Sequence, residues 1–184
     1  MKTAAEPELR YPEPELADGR VRLRPWEPTD LHCVQAASDE GVVPEGSTVP
    51  EKFTKEAGLA WIARQHGRLH NGQGWSLAIT DVGSGTAAGC VALLLRAQPG
   101  VAGIGYWLAP KQRGHGYATR AVQLVTSWAL GDLGLARVEA WVEPKNRASL
   151  AVLERCGFTR DGMRRSFLSF ATRRADALIL SRIA

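Results

Sequence analysis

The pattern of apolar and polar positions changes period several times along the chain, and each change marks a predicted element. Val21 and Leu23, with Trp26 just beyond, alternate as in a half-buried strand and open the ordered part near Arg20. Thr29 is placed to cap a helix running to about Ala37, and Gly41 to Pro50 reads as a loop. A second helix is predicted from about Thr54 to His70, ended by Asn71 and Gly72; Leu59, Ile62, Ala63 and His66 make one face, and Trp61 lies off that stripe. Trp75 to Thr80 and Ala87 to Leu95 read as strands joined through Gly83, Ser84 and Gly85. Ile104 to Leu108 is a further strand. After it, Ala118, Ala121, Val122, Val125, Trp128 and Ala129 recur at helical spacing up to Leu130. Arg137 to Val142 alternates again: Val138, Ala140 and Val142 point one way, while Glu139, Trp141 and Glu143 share the other face. Pro144 ends that strand, Ala148 to Arg155 forms a short helix, and Gly157 supplies a left-handed stop. The order predicts a mixed α/β domain over residues 20–184. Before it, residues 1–19 read as an extended tail, with Pro7, Pro12 and Pro14 set among acids between Glu6 and Glu15.

Composition narrows this only a little. With 184 residues, 45% of them hydrophobic, the chain is long enough for one well-packed domain and short for two. A net charge of +4 suits an anionic small ligand, nucleic acid or an acidic protein surface alike. Met1 to Arg10 has no apolar core, and the strongest apolar run, Val91 to Leu95, is far shorter than the ~20 residues of a membrane span. The expectation is a soluble, cytoplasmic protein. Cys33, Cys90 and Cys156 stand far apart, matching neither a disulfide framework nor a zinc spacing, so all three read as small packed residues. His66 and His70 have i, i+4 spacing, but Gly67 stands where a zinc-protease helix carries glutamate, and no metal is expected.

The strongest chemical signal is the basic, glycine-rich turn Gln112, Arg113, Gly114, His115, Gly116, Tyr117, Ala118 between a strand and a helix. First-turn N–H groups lack internal partners and sit at the positive end of the helix dipole, so an anion there gains hydrogen bonds and field. Gly114 and Gly116 let the backbone approach phosphate oxygens closely, and Lys111 and Arg113 add charge. A P-loop is excluded because no Gly-Lys-Ser/Thr occurs. A dinucleotide fingerprint fits poorly, since Thr119 stands where glycine or alanine is wanted and Glu139 matches the required acid only loosely. A glycine turn with no ligand remains the plain alternative.

Gln112 to Ala118 resembles the acyl-CoA pyrophosphate loop of the GNAT N-acetyltransferases. Gly105, Tyr106, Trp107 and Leu108 resemble that family's splayed strand, and Asn146, Arg147, Ala148 and Ser149, continuing to Cys156, Gly157 and Phe158, its later helix. Leu23, Arg24, Pro25 and Trp26 with Thr29 and Asp30, and the closing Asp176, Ala177, Leu178 and Ile179, are similar to the RimJ/RimL-type branch. The resemblance implies a central, mostly antiparallel sheet with a splayed parallel pair, flanked by helices. It implies acetyl-CoA as co-substrate, held by Trp107, Leu108, Ala109, Gln112, Arg113, Gly114, His115, Gly116, Tyr117, Ala118, Thr119, Asn146 and Ser149. The implied partners are acetyl-CoA and an amine acceptor, a protein N-terminus or a small molecule, with a homodimer as a possible assembly and neither membrane nor nucleic acid.

Amide-forming acyl transfer requires a neutral amine, a donor for the tetrahedral oxyanion and a proton for the leaving thiolate. The resemblance assigns the oxyanion to a backbone N–H near Leu108. In RimI-type relatives a glutamate lies five residues before the asparagine, where this chain has Trp141. Glu143 and Glu139 flank it, and either serves as base or as a solvated strand carboxylate. The RimI-type acid, a tyrosine, is replaced by Leu153. Ser149, matching a RimL-type serine, is the candidate thiolate partner, against a plain reading as a first-turn serine completing helix hydrogen bonds. Arg160, Arg164, Arg165, Arg173 and Arg174 suit an acidic acceptor or solvent. Two rival readings stand: a CoA-binding module without catalysis, and a nucleic-acid binder that uses these arginines.

Overall fold

A computed structural model describes residues 9–184. Its sheet has the strand order β1-β2-β3-β4-β5-β6-β8-β7. In chain order these strands are β1 (Leu16–Ala17), β2 (Val21–Arg24), β3 (Gly74–Asp81), β4 (Ala87–Leu95), β5 (Val101–Leu108), β6 (Arg137–Val142), β7 (Thr159–Ser169) and β8 (Arg174–Ile183). Neighbours are antiparallel except β5 and β6, which run parallel. The helices are α1 (Leu31–Asp39), α2 (Val42–Glu45), α3 (Lys55–His70), α4 (Tyr117–Leu130) and α5 (Arg147–Arg155). The sheet therefore matches the predicted mixed α/β class.

Strand alternation divides the core into two layers. On β3, Trp75, Leu77 and Ile79 join Ala121, Val122 and Val125 of α4 and Leu150 and Leu153 of α5 in one cluster. Ala78 faces the other way and packs with Cys33, Val34 and Ala37 of α1 and Trp61 and Ile62 of α3. The helices α4 and α5 thus cover one sheet face, and α1 and α3 cover the β3–β4 part of the other. The outer half of that second face, along β6, β8 and β7, carries Trp141, which is 36% exposed.

Several local expectations need correction. Thr29 does not cap α1. Pro28–Asp30 forms a 3₁₀ turn entered through Glu27, whose carboxylate forms a capping box with Asp30, and Pro28 fixes the backbone there. The loop from Gly41 to Pro50 contains α2. On α3 the buried face is Gly58, Trp61, Ile62 and Gln65, whereas Leu59 is 37% exposed. The face turned because Trp61 meets Trp26 edge-on at 4.8 Å and Trp107 at 6.0 Å, a larger burial than Leu59 offers. Gly58, on the same face, lets α3 lie against Leu31 of α1, since a Cβ there would fall 2.6 Å from that side chain. Trp61→Ala should accordingly cost about 3–5 kcal/mol of unfolding free energy and Leu59→Ala under about 0.5 in urea denaturation, the values for a buried ring and a surface change.

The sheet also begins before Arg20, because Leu16 and Ala17 pair with Leu23 and Arg22. Leu9 and Tyr11 pack against the main core, and the Trp75 indole N–H donates to the Arg10 carbonyl at 2.7 Å. The predicted tail upstream of Leu9 lies outside the described residues.

Candidate active site

The parallel pairing of β5 with β6 stops at Gly103 opposite Glu139, while β4 continues to pair with β5 as far as Leu108. From Ile104 onward β5 has a partner on one side only, and a notch opens on the other. Ala109 donates its N–H to the Ala88 carbonyl at 2.9 Å on the β4 side, so alternation turns the Leu108 N–H into the notch. Trp107 contributes no ring there: its indole stacks on Trp26 at 5.9 Å and pins the end of β5 from the opposite side. Ala109 is likewise buried in that cluster.

Below the notch, Pro110–Gln112 makes a 3₁₀ turn that leads into the glycine loop. Gly114 and Gly116 both have φ of +80°, a left-handed conformation that side chains disfavour, and a Cβ at either would meet nothing within 4 Å. Among the described residues the N–H groups from Gly114 to Thr119 have no protein acceptor, and they converge where Gly116 caps α4. Lys111 and His115 are exposed, and Gln112, Ala118 and Thr119 are half-buried. Arg113 is not the free cation expected from sequence. It binds both carboxylate oxygens of Glu40 at 2.5 and 2.6 Å and donates to the Leu108 carbonyl at 3.3 Å, tying the loop to α1 and to β5. Tyr117 is buried, and its hydroxyl donates to Asp81 at 2.8 Å, anchoring the first turn of α4 to β3. Hydrogen bonds from Ser84 and Tyr117 hold the Asp81 carboxyl below the usual carboxylate range.

On the far side of the notch, Asn146 caps α5 by accepting the Ser149 N–H at 3.1 Å. The Ser149 hydroxyl is therefore not the helix cap. It lies 2.8 Å from the hydroxyl of Tyr106, which also reaches the Ser149 carbonyl at 3.1 Å. Tyr106 is mostly buried, and burial pushes its phenol up to about 12 despite the serine bond. Sequence reading missed Tyr106 as a site residue, although the even positions of β5 already placed it beside Leu108 on one strand face. Cys156, beneath this pair, is buried and donates its S–H to the Thr119 carbonyl at 3.3 Å, joining α5 to α4. Burial raises all three cysteine thiols, so they stay protonated.

The two candidate carboxylates do share the sheet face away from α4 and α5, and both are in ion pairs. Glu143 accepts two bonds from Arg173, at 2.8 and 3.0 Å, and lies 3.2 Å from Lys145. The Arg173 bonds hold its carboxyl below the usual range. Glu139 sits 3.5 Å from Arg96 and 3.4 Å from Arg137. Arg173 also donates to Glu45 at 2.9 Å, so the β7–β8 turn is clasped to α2. His66 donates from Nε2 to the Trp26 carbonyl at 2.7 Å, and His70 places Nδ1 3.0 Å from the His66 carbonyl, so neither faces a common ligand.

Residues 20–159 match the family model of the acetyltransferase (GNAT) domain. The probable N-acetyltransferase YjcK of Bacillus subtilis is 31% identical over 156 residues, spanning 79% of this chain and 83% of that protein. Among solved structures, Mycobacterium smegmatis RimJ in complex with CoA-disulfide superposes with a TM-score of 0.78 at 24% identity, over 89% of this chain and 82% of that one. RimL, the ribosomal L7/L12 alpha-N-protein acetyltransferase in complex with coenzyme A, superposes with a TM-score of 0.80 at 18% identity, over 92% and 97% of the two chains. A strand pair that parts beside a capped glycine loop, found in a chain whose family match covers that loop and both strands, leads to one conclusion: this protein belongs to the GNAT acetyltransferases.

Proposed function

We propose that the protein transfers an acetyl group from acetyl-CoA to the α-amine of a peptide or protein N-terminus, by direct attack within a ternary complex. The observation that carries this reading is the parting of β5 from β6 immediately before a loop whose N–H groups lack protein acceptors. The N–H groups from Gly114 to Thr119 would hold the pyrophosphate, and the pantetheine arm would extend the sheet along the free side of β5. Leu108 N–H then polarises the thioester carbonyl, and it strengthens that bond as the oxyanion forms. Ser149, backed by Tyr106, supplies the proton to the departing thiolate. Coenzyme A in the RimJ and RimL structures supports the donor, and the L7/L12 specificity of RimL supports an N-terminal acceptor.

Arg173 holds the Glu143 carboxyl below the usual range and Glu139 is engaged by Arg96 and Arg137, so in this reading the amine enters already neutral. This has a measurable consequence. An α-amine ionises near 7.7–8.0 and a lysine near 10.4, so at pH 7 the neutral fractions differ by roughly 300-fold. Thiol release with a free-N-terminus peptide should exceed that with the Nα-blocked lysine peptide by on the order of 10²-fold. The value of kcat/KM should climb to the amine's own pKa and then level, with no inflection from Glu143 above pH 5, because Arg173 keeps that group ionised there. Preference for lysine, or turnover of non-peptide amines alone, overturns the acceptor assignment.

A further inference from the structure

On the outer half of the sheet face, beside the notch, two arginines enclose two rings in a single file. The Arg96 guanidinium lies 3.8 Å from the centre of the Trp141 ring, Trp141 meets Phe167 edge-on at 4.8 Å, and Arg164 lies 4.9 Å from the centre of the Phe167 ring. Gly103 makes the first layer possible, because a Cβ there would fall 2.2 Å from the Arg96 guanidinium. The next glycine on that face, Gly105, has open space where a Cβ would stand, so the notch opens onto the file.

Trp141, Ile179 and Arg164 border a concavity of about 340 Å³. Register explains the hollow. Ile179 pairs with Trp141 on one side and with Gly162 on the other, and Arg164 pairs with Ala177, so Arg164 shares the face of Ile179 while Gly162 fills none of it. The volume is at the lower end for ligand sites and fits one or two side chains. Arg137 and Arg164 line it with two carboxylates, Glu139 and Asp161, and Arg96, outside the lining, draws on Glu139 as well. Arg137 bonds Asp161 and lies by Glu139, and Glu139 also faces Arg96, which leaves Arg164 as the cation with no carboxylate partner among the described residues.

We propose that this concavity is the side-chain subsite of the acceptor and takes a peptide with an acidic residue at its second to fourth position. The apolar walls receive the neighbouring aliphatic or aromatic part, and the carboxylate meets Arg164. The spacing agrees: Trp141 lies about 6.6 Å along the chain from Glu143, and an extended peptide advances about 3.3 Å per residue, so an amine near Glu143 sets its third residue over Trp141, with the second and fourth to either side. This inference rests on the N-terminal acceptor proposed above.

The test compares peptides of one length and sequence that carry Asp, Asn or Lys at position two, three or four, with thiol release read at saturating acetyl-CoA. Wild type should favour the best-placed Asp over its Asn counterpart roughly tenfold in kcat/KM, the scale of one charge-assisted contact. Arg164→Gln should bring Asp and Asn within about twofold, and Arg164→Glu should reverse the order in favour of Lys. The thermal shift with CoA, measured on each variant, verifies that the exposed substitution leaves the domain folded. Equal rates for Asp and Asn peptides in wild type, or an Asp preference that survives Arg164→Gln, overturn this subsite alone. Absence of turnover with every peptide overturns the N-terminal acceptor and the subsite with it. Free aspartate outrunning the peptides assigns the anion to a small amino acid and overturns the peptide form.

Discussion

Ser149→Ala should lower kcat at least about tenfold and leave the CoA dissociation constant within about twofold, because the lost donor acts mainly in the transition state. The position of Asn146 sharpens this expectation. Since Asn146 already caps α5, the serine hydroxyl is not needed for the helix end, and its removal should cost little stability. Tyr106→Phe removes the hydroxyl 2.8 Å behind Ser149 and should also reduce kcat. If the two act as one relay, the double variant is no slower than the worse single one, whereas independent roles multiply. Unchanged kcat in Ser149→Ala, or a lowered unfolding midpoint as its sole effect, would leave thiolate departure to solvent.

Gly116→Val should abolish CoA binding. A ligand at 100 times its dissociation constant adds about 2.7 kcal/mol to the folded state, and for a domain of this size that raises Tm by roughly 5–10 °C. In the variant the rise should vanish, since the valine side chain occupies the open space that phosphate oxygens need. The backbone complicates the comparison, because φ of +80° also strains any non-glycine residue. Gly134 provides the control: its φ is +63°, its surroundings are equally open, and it lies in the turn between α4 and β6. Gly134→Val should lose comparable stability and keep the full CoA-induced rise. An equal loss of the rise in both variants would mean that strain, not the phosphate site, governs the response.

The parts of the fold that were legible in sequence are those that burial marks, on both faces for β3 and β4 and on one face for β6. Val138, Ala140 and Val142 gave β6 and its face correctly because α4 and α5 cover only one side. The edge strand β7 was invisible to the same reading. Most of its residues from Thr159 onward are exposed on both faces, so no alternation is imposed, and only pairing with β8 makes it a strand. On α3 the periodicity was present but its phase was misjudged, since the burial of Trp61 depends on Trp26 and Trp107, distant in sequence. The glycine loop was legible because its geometry is local. The ion pairs of Glu143 and Glu139 and the serine partner Tyr106 were not, for each joins segments that only the sheet brings together.

The bond between Arg113 and Glu40 bears on how the loop meets solution ions. With that guanidinium already neutralised by a carboxylate, attraction for pyrophosphate falls mostly on backbone N–H dipoles, whose reach is short. Mobile counterions weaken long-range attraction between net charges far more than they weaken contacts between a phosphate and amides lying against it. Coenzyme binding should therefore change little with ionic strength, while any acidic acceptor drawn to the arginines of β7 would be released by salt.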